Sequence, residues 1–235
     1  MSEAESAVLR AAKWITRPVD RETIQDRVYS QIKAMIINGE IEPGEAVTIQ
    51  SLSEAFQVSA MPVREALRRL MAEQALTVLS GRSVGVPPLS PERLADLRRV
   101  RGEIEGTAVR WAAEKMTPQD LGELTRLVET LEDAEARSDS KLYVSANHHF
   151  HFRIYRLAGS ATLLAFIESL WLQISPYFHV LRGSGNWHAA NVAHRAMLEA
   201  LATGDGPTAA AALRRDIDGA ATILAARLGG TAKRD

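Results

Sequence analysis

The sequence predicts a mostly α-helical protein of two domains, an N-terminal winged helix-turn-helix followed by a six-helix antiparallel bundle. Three features carry this. Apolar residues recur at three- and four-residue spacing from Ile24 onward, the period of an amphipathic helix. One stretch, "LTVLSGRSVGVPPL", reads instead as two short strands around "SGRS", closed by Pro87–Pro88. After Ser90 the helical pattern is broken only at short clusters of turn residues.

Composition sets the outer bounds. At 235 residues the chain suits one large domain or two ordinary ones, since domains run roughly 100–200 residues. Hydrophobic residues make up 46% and charged residues 24%, as in a globular protein folded in water. Its apolar runs fall far short of the ~20 residues of a membrane helix. The first residues carry Glu3 and Glu5 rather than a basic-then-apolar signal. A cytoplasmic location without membrane contact is therefore expected. The chain has no cysteine, which excludes disulfides and thiol catalysis and leaves His, Asp, Glu and Asn as metal ligands. The net charge of −1 gives no global argument for nucleic acid, so any such argument has to be local.

Residues 1–18 read as an N-terminal arm, 19–89 as the winged domain and 90–230 as the helical domain. In "TIQDRVYSQIKAMIINGEIEPGEAV" the apolar positions Ile24, Val28, Ile32, Met35 and Ile36 make one helix face. Gly39 ends that helix, and "EPGE" turns the chain. Helices follow at about 50–56 and 60–73, separated by "QVS", with Ser59 as N-cap and Pro62 in the first turn. In the second of these, Val63, Ala66, Leu67, Leu70 and Met71 form the apolar stripe. Arg68 points away from it, Arg64 and Arg69 flank it, and Met61 lies outward. Two short helices joined by a tight turn, the second carrying outward arginines, fit a helix-turn-helix. The segment is mildly acidic overall but turns basic from Arg64 to Arg82. Taken alone, "REALRR" reads more readily as a solvated helix face than as a DNA-contacting one.

The stretch "VYSQIKAMIINGEIEPGEAVTIQSLSEAFQVSAMPVREALRRLMAEQAL" resembles the winged helix-turn-helix of the GntR family of bacterial transcription regulators. It has the family's initial helix, its "G-x-[IL]-x-P-G" turn, its "[LI]-[SA]-E" scaffold helix and its "V-S-x-x-P-V-R-E-A-L-x-x-L" recognition helix, at the same spacing over residues 28–76. The resemblance implies a double-stranded DNA operator as partner. Arg64 matches the arginine that reads a guanine in the major groove, a contact worth ~1–3 kcal/mol of discrimination. Ser59 and the helix start match phosphate-gripping positions, Arg82 matches a wing residue, and Arg68 lies on the same outward face. Two departures stand out. Ala60 replaces the usual arginine, leaving Met61 to meet a thymine methyl, and Ser83 stands where many members have glycine.

The second half continues with a helix capped by Ser90 in "SPER", then helices at about 118–137, 141–158, 160–182, 186–203 and 206–228. "LRRVRGEIEGTAVRWAAEKMT", "FHFRIYRLAGSATLLAFIESLW" and "HRAMLEALATGDGPTAAAALRRDI" resemble the FCD ligand-binding domain of the FadR subfamily. Many such domains hold a metal between an Asp and a His four residues apart and one His from each of two later helices. On this chain that set falls at Asn147, His151, His194 and Asp216, so the amide and the acid stand where Asp and His are usual. Residues four apart share a helix face. Of the three histidines in "NHHFH" (147–151), His151 is therefore the ligand the resemblance implies, with His148 a candidate accessory and His149 roughly opposite on the helix. Two imidazoles and a carboxylate suit a divalent transition metal, Zn, Mn, Fe or Ni. The competing reading is a metal-free polar cavity. Arg101 matches an arginine that faces the pocket and could pair with a ligand carboxylate, or else with Glu105 four residues on. His179 and Arg182 are further pocket candidates, while Trp171 and Trp187 are expected in the core or an interface.

The resemblance implies a repressor that binds an inverted-repeat operator as a homodimer and is released by a small carboxylate-type effector. The rival from another class is a metal-dependent hydrolase using His151, His194 and Asp216.

Overall fold

The computed structural model describes residues 23–81, 83–181 and 186–231. The expected arm over 1–18, Arg82 and Arg182 lie outside the described residues, as does the side chain of His179.

Helix α1 (Ile24–Ile37) opens on a capping box in which Thr23 and Asp26 exchange side-chain and backbone hydrogen bonds. It closes at Gly39, whose φ of 70° is a left-handed conformation that costs a glycine little. Helices α2 (Ile49–Phe56) and α3 (Ala60–Ala72) are joined through Gln57, also left-handed at φ 54°. Val63, Ala66, Leu67 and Leu70 of α3 are buried against Val28, Ile32 and Ile36 of α1, so the expected stripe is the packed face.

Strands β1 (Thr77–Ser80) and β2 (Ser83–Gly85) pair antiparallel, with an irregularity between Val78 and Ser80. The turn after α1 adds a third edge that periodicity did not show: Val47 and Val84 exchange backbone hydrogen bonds of 2.8 and 3.0 Å. Gly85 makes this close approach feasible. A Cβ there would lie 2.1 Å from the Glu45 carbonyl oxygen and 2.6 Å from Leu79 Cδ1. Gly85→Ala is therefore expected to destabilise the full chain by about 1–3 kcal/mol, the usual cost of forcing atoms into filled space. Urea denaturation checks this, and an unchanged midpoint would mean that the Glu45 backbone is free to move away.

Among the described residues six α-helices build the second half: α4 (Pro91–Ala113), α5 (Pro118–Ala136), α6 (Ser140–Leu157), α7 (Ala161–Ile174), α8 (Asn186–Ala202) and α9 (Gly206–Thr231). Ser90, Thr117, Asp139 and Ser160 each cap the helix that follows by accepting from a backbone N–H in its first turn. The expected helix over 160–182 is not continuous. It stops at Ile174 and proceeds as a 3₁₀ segment, Ser175–Leu181. Pro176 explains the break, because it has no N–H for the carbonyl four residues back and its ring crowds that carbonyl.

The 3₁₀ segment joins the two halves. Leu172, Ile174, Tyr177, Leu181, Ala221 and Leu224 share one apolar cluster with Val28, Ile32, Ile36 and Leu70. Tyr177 donates its hydroxyl to the Pro87 carbonyl, and Lys33 of α1 pairs with Glu168 of α7 at 2.9 Å. The bundle has its own core around Phe150, Ile154, Leu124, Leu131, Met197 and Leu213. Among the described residues no helix is long and apolar enough to cross a membrane.

Candidate metal pocket and nucleic-acid face

Three helices bring the expected ligands together. His151 of α6, His194 of α8 and Asp216 of α9 place one donor atom each within 4.8 Å of one another. His151 Nε2 lies 3.2 Å from His194 Nε2 and 3.3 Å from Asp216 Oδ2, and His194 Nε2 lies 3.7 Å from Asp216 Oδ1. Both imidazoles are buried, while Asp216 keeps an exposed edge. Burial pushes His151 below the usual imidazole value, against the pull of Asp216. For Asp216, burial works against ionisation, but the facing His194 and His151 rings hold its carboxyl well below the ordinary range.

Asn147 does not enter this triangle by any hydrogen bond among the described residues, but it lines the same pocket as Asp216, together with Arg101, Tyr143, Trp171 and Trp187. His148 is not accessory to the site. It stacks on Phe152 at 4.1 Å, meets Trp171 edge-on and faces a groove beside Lys33 and Glu168. Burial pushes it down to about 4. His149 is exposed and donates from Nδ1 to the Ser145 carbonyl.

Of the two partners expected for Arg101, the structure gives it Glu105. Nε donates to Oε1 at 2.5 Å and Nη2 to Oε2 at 3.2 Å. Tyr155 and Trp171 donate to the same Oε2, at 2.5 and 3.1 Å, so four donors converge on a fully buried carboxylate. Trp171 thus belongs to the pocket wall as well as the core. Trp187 also lines the pocket, stacked on Tyr143 at 4.4 Å. Tyr143 donates to Asn191, which in turn donates to Glu135. Sequence reading passed over Tyr143 and Tyr155, although the signal was present: positions 143, 147, 151 and 155 recur every four residues, one stripe of α6.

The donor set fits a divalent cation. Two imidazole nitrogens and a carboxylate oxygen converge from three helices, a donor set that suits a divalent transition metal. One orphan remains: His194 Nδ1 is buried without a hydrogen-bond partner among the described residues.

On the other half, Ser59 sits at the N-cap of α3 with no side-chain cap bond, which leaves its hydroxyl unspent at the helix N-terminus. Ala60, Met61, Arg64 and Arg68 are exposed beside it, Met61 to 59%. Among the described residues Arg64 has no ion-pair partner, while Arg68 meets Glu65 at 3.3 Å. Arg69 is committed elsewhere: its guanidinium lies 3.7 Å above the Tyr29 ring, between Asp26 and Glu73.

Comparison with known proteins gives a consistent result. Residues 24–86 match the family described as bacterial regulatory proteins, gntR family, and residues 96–219 match the FCD domain. The HTH-type transcriptional regulator McbR of Escherichia coli (strain K12) is 35% identical over 155 residues, covering 66% of this chain and 70% of that protein. The solved structure of E. coli McbR/YncC superposes with a TM-score of 0.80 at 29% identity, over 87% of this chain and 98% of that one. A GntR regulator from Rhodococcus sp. RHA1 gives a TM-score of 0.71 at 25% identity, over 86% and 98%. These relatives are transcription regulators rather than enzymes, and the hydrolase reading is set aside.

Proposed function

Since the chain belongs to the GntR family of bacterial transcription regulators and carries an FCD domain, we propose that it is a metal-dependent, ligand-responsive repressor. It binds an inverted-repeat operator as a homodimer, because two half-sites mirror a two-fold protein. A small carboxylate-type effector releases it. The observation that carries this reading is the convergence of His151 and His194 on Asp216, which lines a pocket together with Arg101.

A Zn²⁺, Mn²⁺, Fe²⁺ or Ni²⁺ ion held there supplies open positions for an anionic oxygen. Asn147 contributes an amide on the same pocket wall, and Tyr143 and Trp187 offer a stacked aromatic side. Arg101 spends Nε and Nη2 on Glu105, so its role toward the effector is to bring positive charge to the pocket rather than a two-pronged grip. His179 and Arg182 remain candidates for the outer pocket. On DNA, Arg64 reads a guanine, Ser59 and the α3 N-terminus grip phosphate, Met61 and Ala60 present an apolar surface to the bases, and Arg68 and Arg82 approach the backbone. Effector binding favours an arrangement of the two winged domains that does not fit the operator, and it shifts the population by its preference for that state.

Metal content measured by mass spectrometry on untagged, chelator-free protein tests the site. The expected result is near one transition metal per wild-type chain and a small fraction of that in His151→Ala/His194→Ala. An operator complex that carboxylates dissociate only when metal is loaded completes the test. Wild-type protein that stays empty after incubation with Zn²⁺, Mn²⁺ and Ni²⁺ would overturn the metal reading.

A further inference from the structure

We infer that the groove between α1 and the bundle is a second ligand site, which takes a small, flat aromatic monocarboxylate and through it ties the winged half to the helical half. The inference stands apart from the metal reading: the groove and the pocket at Asp216 lie on either side of a common wall, Trp171.

The groove has a volume of about 270 Å³, close to the lower end of the ~300–1,000 Å³ of small-molecule sites, so its occupant is small. α1 forms one wall, where Ser30 and Ala34 are exposed. α6 and α7 form the other. There His148 stacks on Phe152 at 4.1 Å, and Trp171 meets these two rings edge-on at 5.6 and 5.3 Å. Tyr29 adds a fourth ring from α1. Rings that pair by stacking and by edge contact offer the same two modes to a flat ring laid among them, and a puckered ring of similar size uses neither.

Charge selects the substituent. Lys33 and Glu168 satisfy each other across the groove at 2.9 Å. Arg156 makes no ion pair among the described residues, and its guanidinium stands 5.6 Å from the centre of the Phe152 ring. One positive charge is therefore left over beside an aromatic surface, which suits a carboxylate attached to a ring. A second carboxylate on the same ligand would meet Glu168.

The position gives the site a bearing on DNA. α1 packs Val28, Ile32 and Ile36 against the buried stripe of α3, and Arg69 of α3 lies 3.7 Å above the Tyr29 ring. A ligand held between α1 and α6 therefore fixes the frame that carries α3 against the bundle, reinforcing the Lys33–Glu168 contact.

Benzoate, followed by ligand-observed NMR on the full chain, tests the site. It is expected to bind more tightly than benzamide, which lacks the charge, and than cyclohexanecarboxylate, which lacks the flat ring. Phthalate, with its second carboxylate, is expected to bind more weakly as well. Arg156→Ala is expected to weaken benzoate roughly tenfold, the usual size of one charged hydrogen bond. Ala34→Trp, which fills the groove from the exposed side of α1, is expected to abolish binding. Both positions are exposed, and circular dichroism checks that the variants fold. A chelator is expected to change nothing. Benzoate binding that survives Ala34→Trp, or that a chelator removes while Arg156→Ala leaves it intact, places the acid elsewhere and overturns the inference. So does an absence of benzoate binding at millimolar concentration, or equal binding of all four compounds. A chain that holds no metal yet binds benzoate in the expected pattern supports the groove and overturns the metal reading alone.

Discussion

Arg64→Ala is expected to weaken operator binding by more than an order of magnitude while leaving the fold intact. The side chain is exposed on α3 and makes no ion pair among the described residues, so its removal takes nothing from the winged core. All of the loss then falls on the DNA. A bidentate arginine–guanine contact discriminates by roughly 1–3 kcal/mol, and a dimer on two half-sites loses it twice, so affinity is expected to drop by roughly 30-fold to 10⁴-fold. Fluorescence anisotropy on an operator selected from random DNA measures it. Arg68→Ala is the control, since a phosphate contact weakens all sequences evenly and lowers the salt slope by about one. If Arg64→Ala binds the selected operator as the wild type does, the base-reading role of α3 is wrong.

Glu105→Gln carries the largest expected cost in stability, about 3–5 kcal/mol by urea denaturation, because it strands the Arg101 charge in the core without its counter-ion. The new amide also turns an N–H₂ toward groups that are themselves donors. Replacing both members, as Arg101→Met/Glu105→Leu, is expected to lose less than the single change, since an apolar pair needs no partner. A loss under ~1 kcal/mol in the single variant would show that water reaches the pair and that the network is not closed.

Much of this architecture was legible in the sequence because it is written in local chemistry. Thr23, Ser90, Thr117 and Ser160 mark helix starts by what their oxygens can accept, and Gly39 marks an end by its left-handed backbone. The period of α3 gave both its buried stripe and its exposed arginines. His151, His194 and Asp216 could be named one by one, but that they meet depends on three helices far apart in the chain. What stayed hidden was of two kinds. Pro176 carried a readable signal, yet the apolar run through Trp171 and Leu172 favoured an unbroken helix. The part played by Glu105 had no local signal beyond its spacing from Arg101, because Tyr155 and Trp171 reach it from 50 and 66 residues away. His148 shows the reverse error. It sits among ligand-type neighbours in sequence, but the rotation of α6 turns it toward Phe152 and the groove under α1.

The apolar cluster shared by Ile32 and Ile36 of α1 with Ile174, Tyr177 and Leu224 means that Pro87–Pro88 separates two sequence patterns without separating two bodies. Whatever binds the folded bundle therefore protects the winged half from opening as well, by a free energy that grows with the logarithm of ligand concentration. If an effector fills the pocket as proposed, its binding is expected to slow proteolysis of both halves together, a consequence separate from any change in DNA binding.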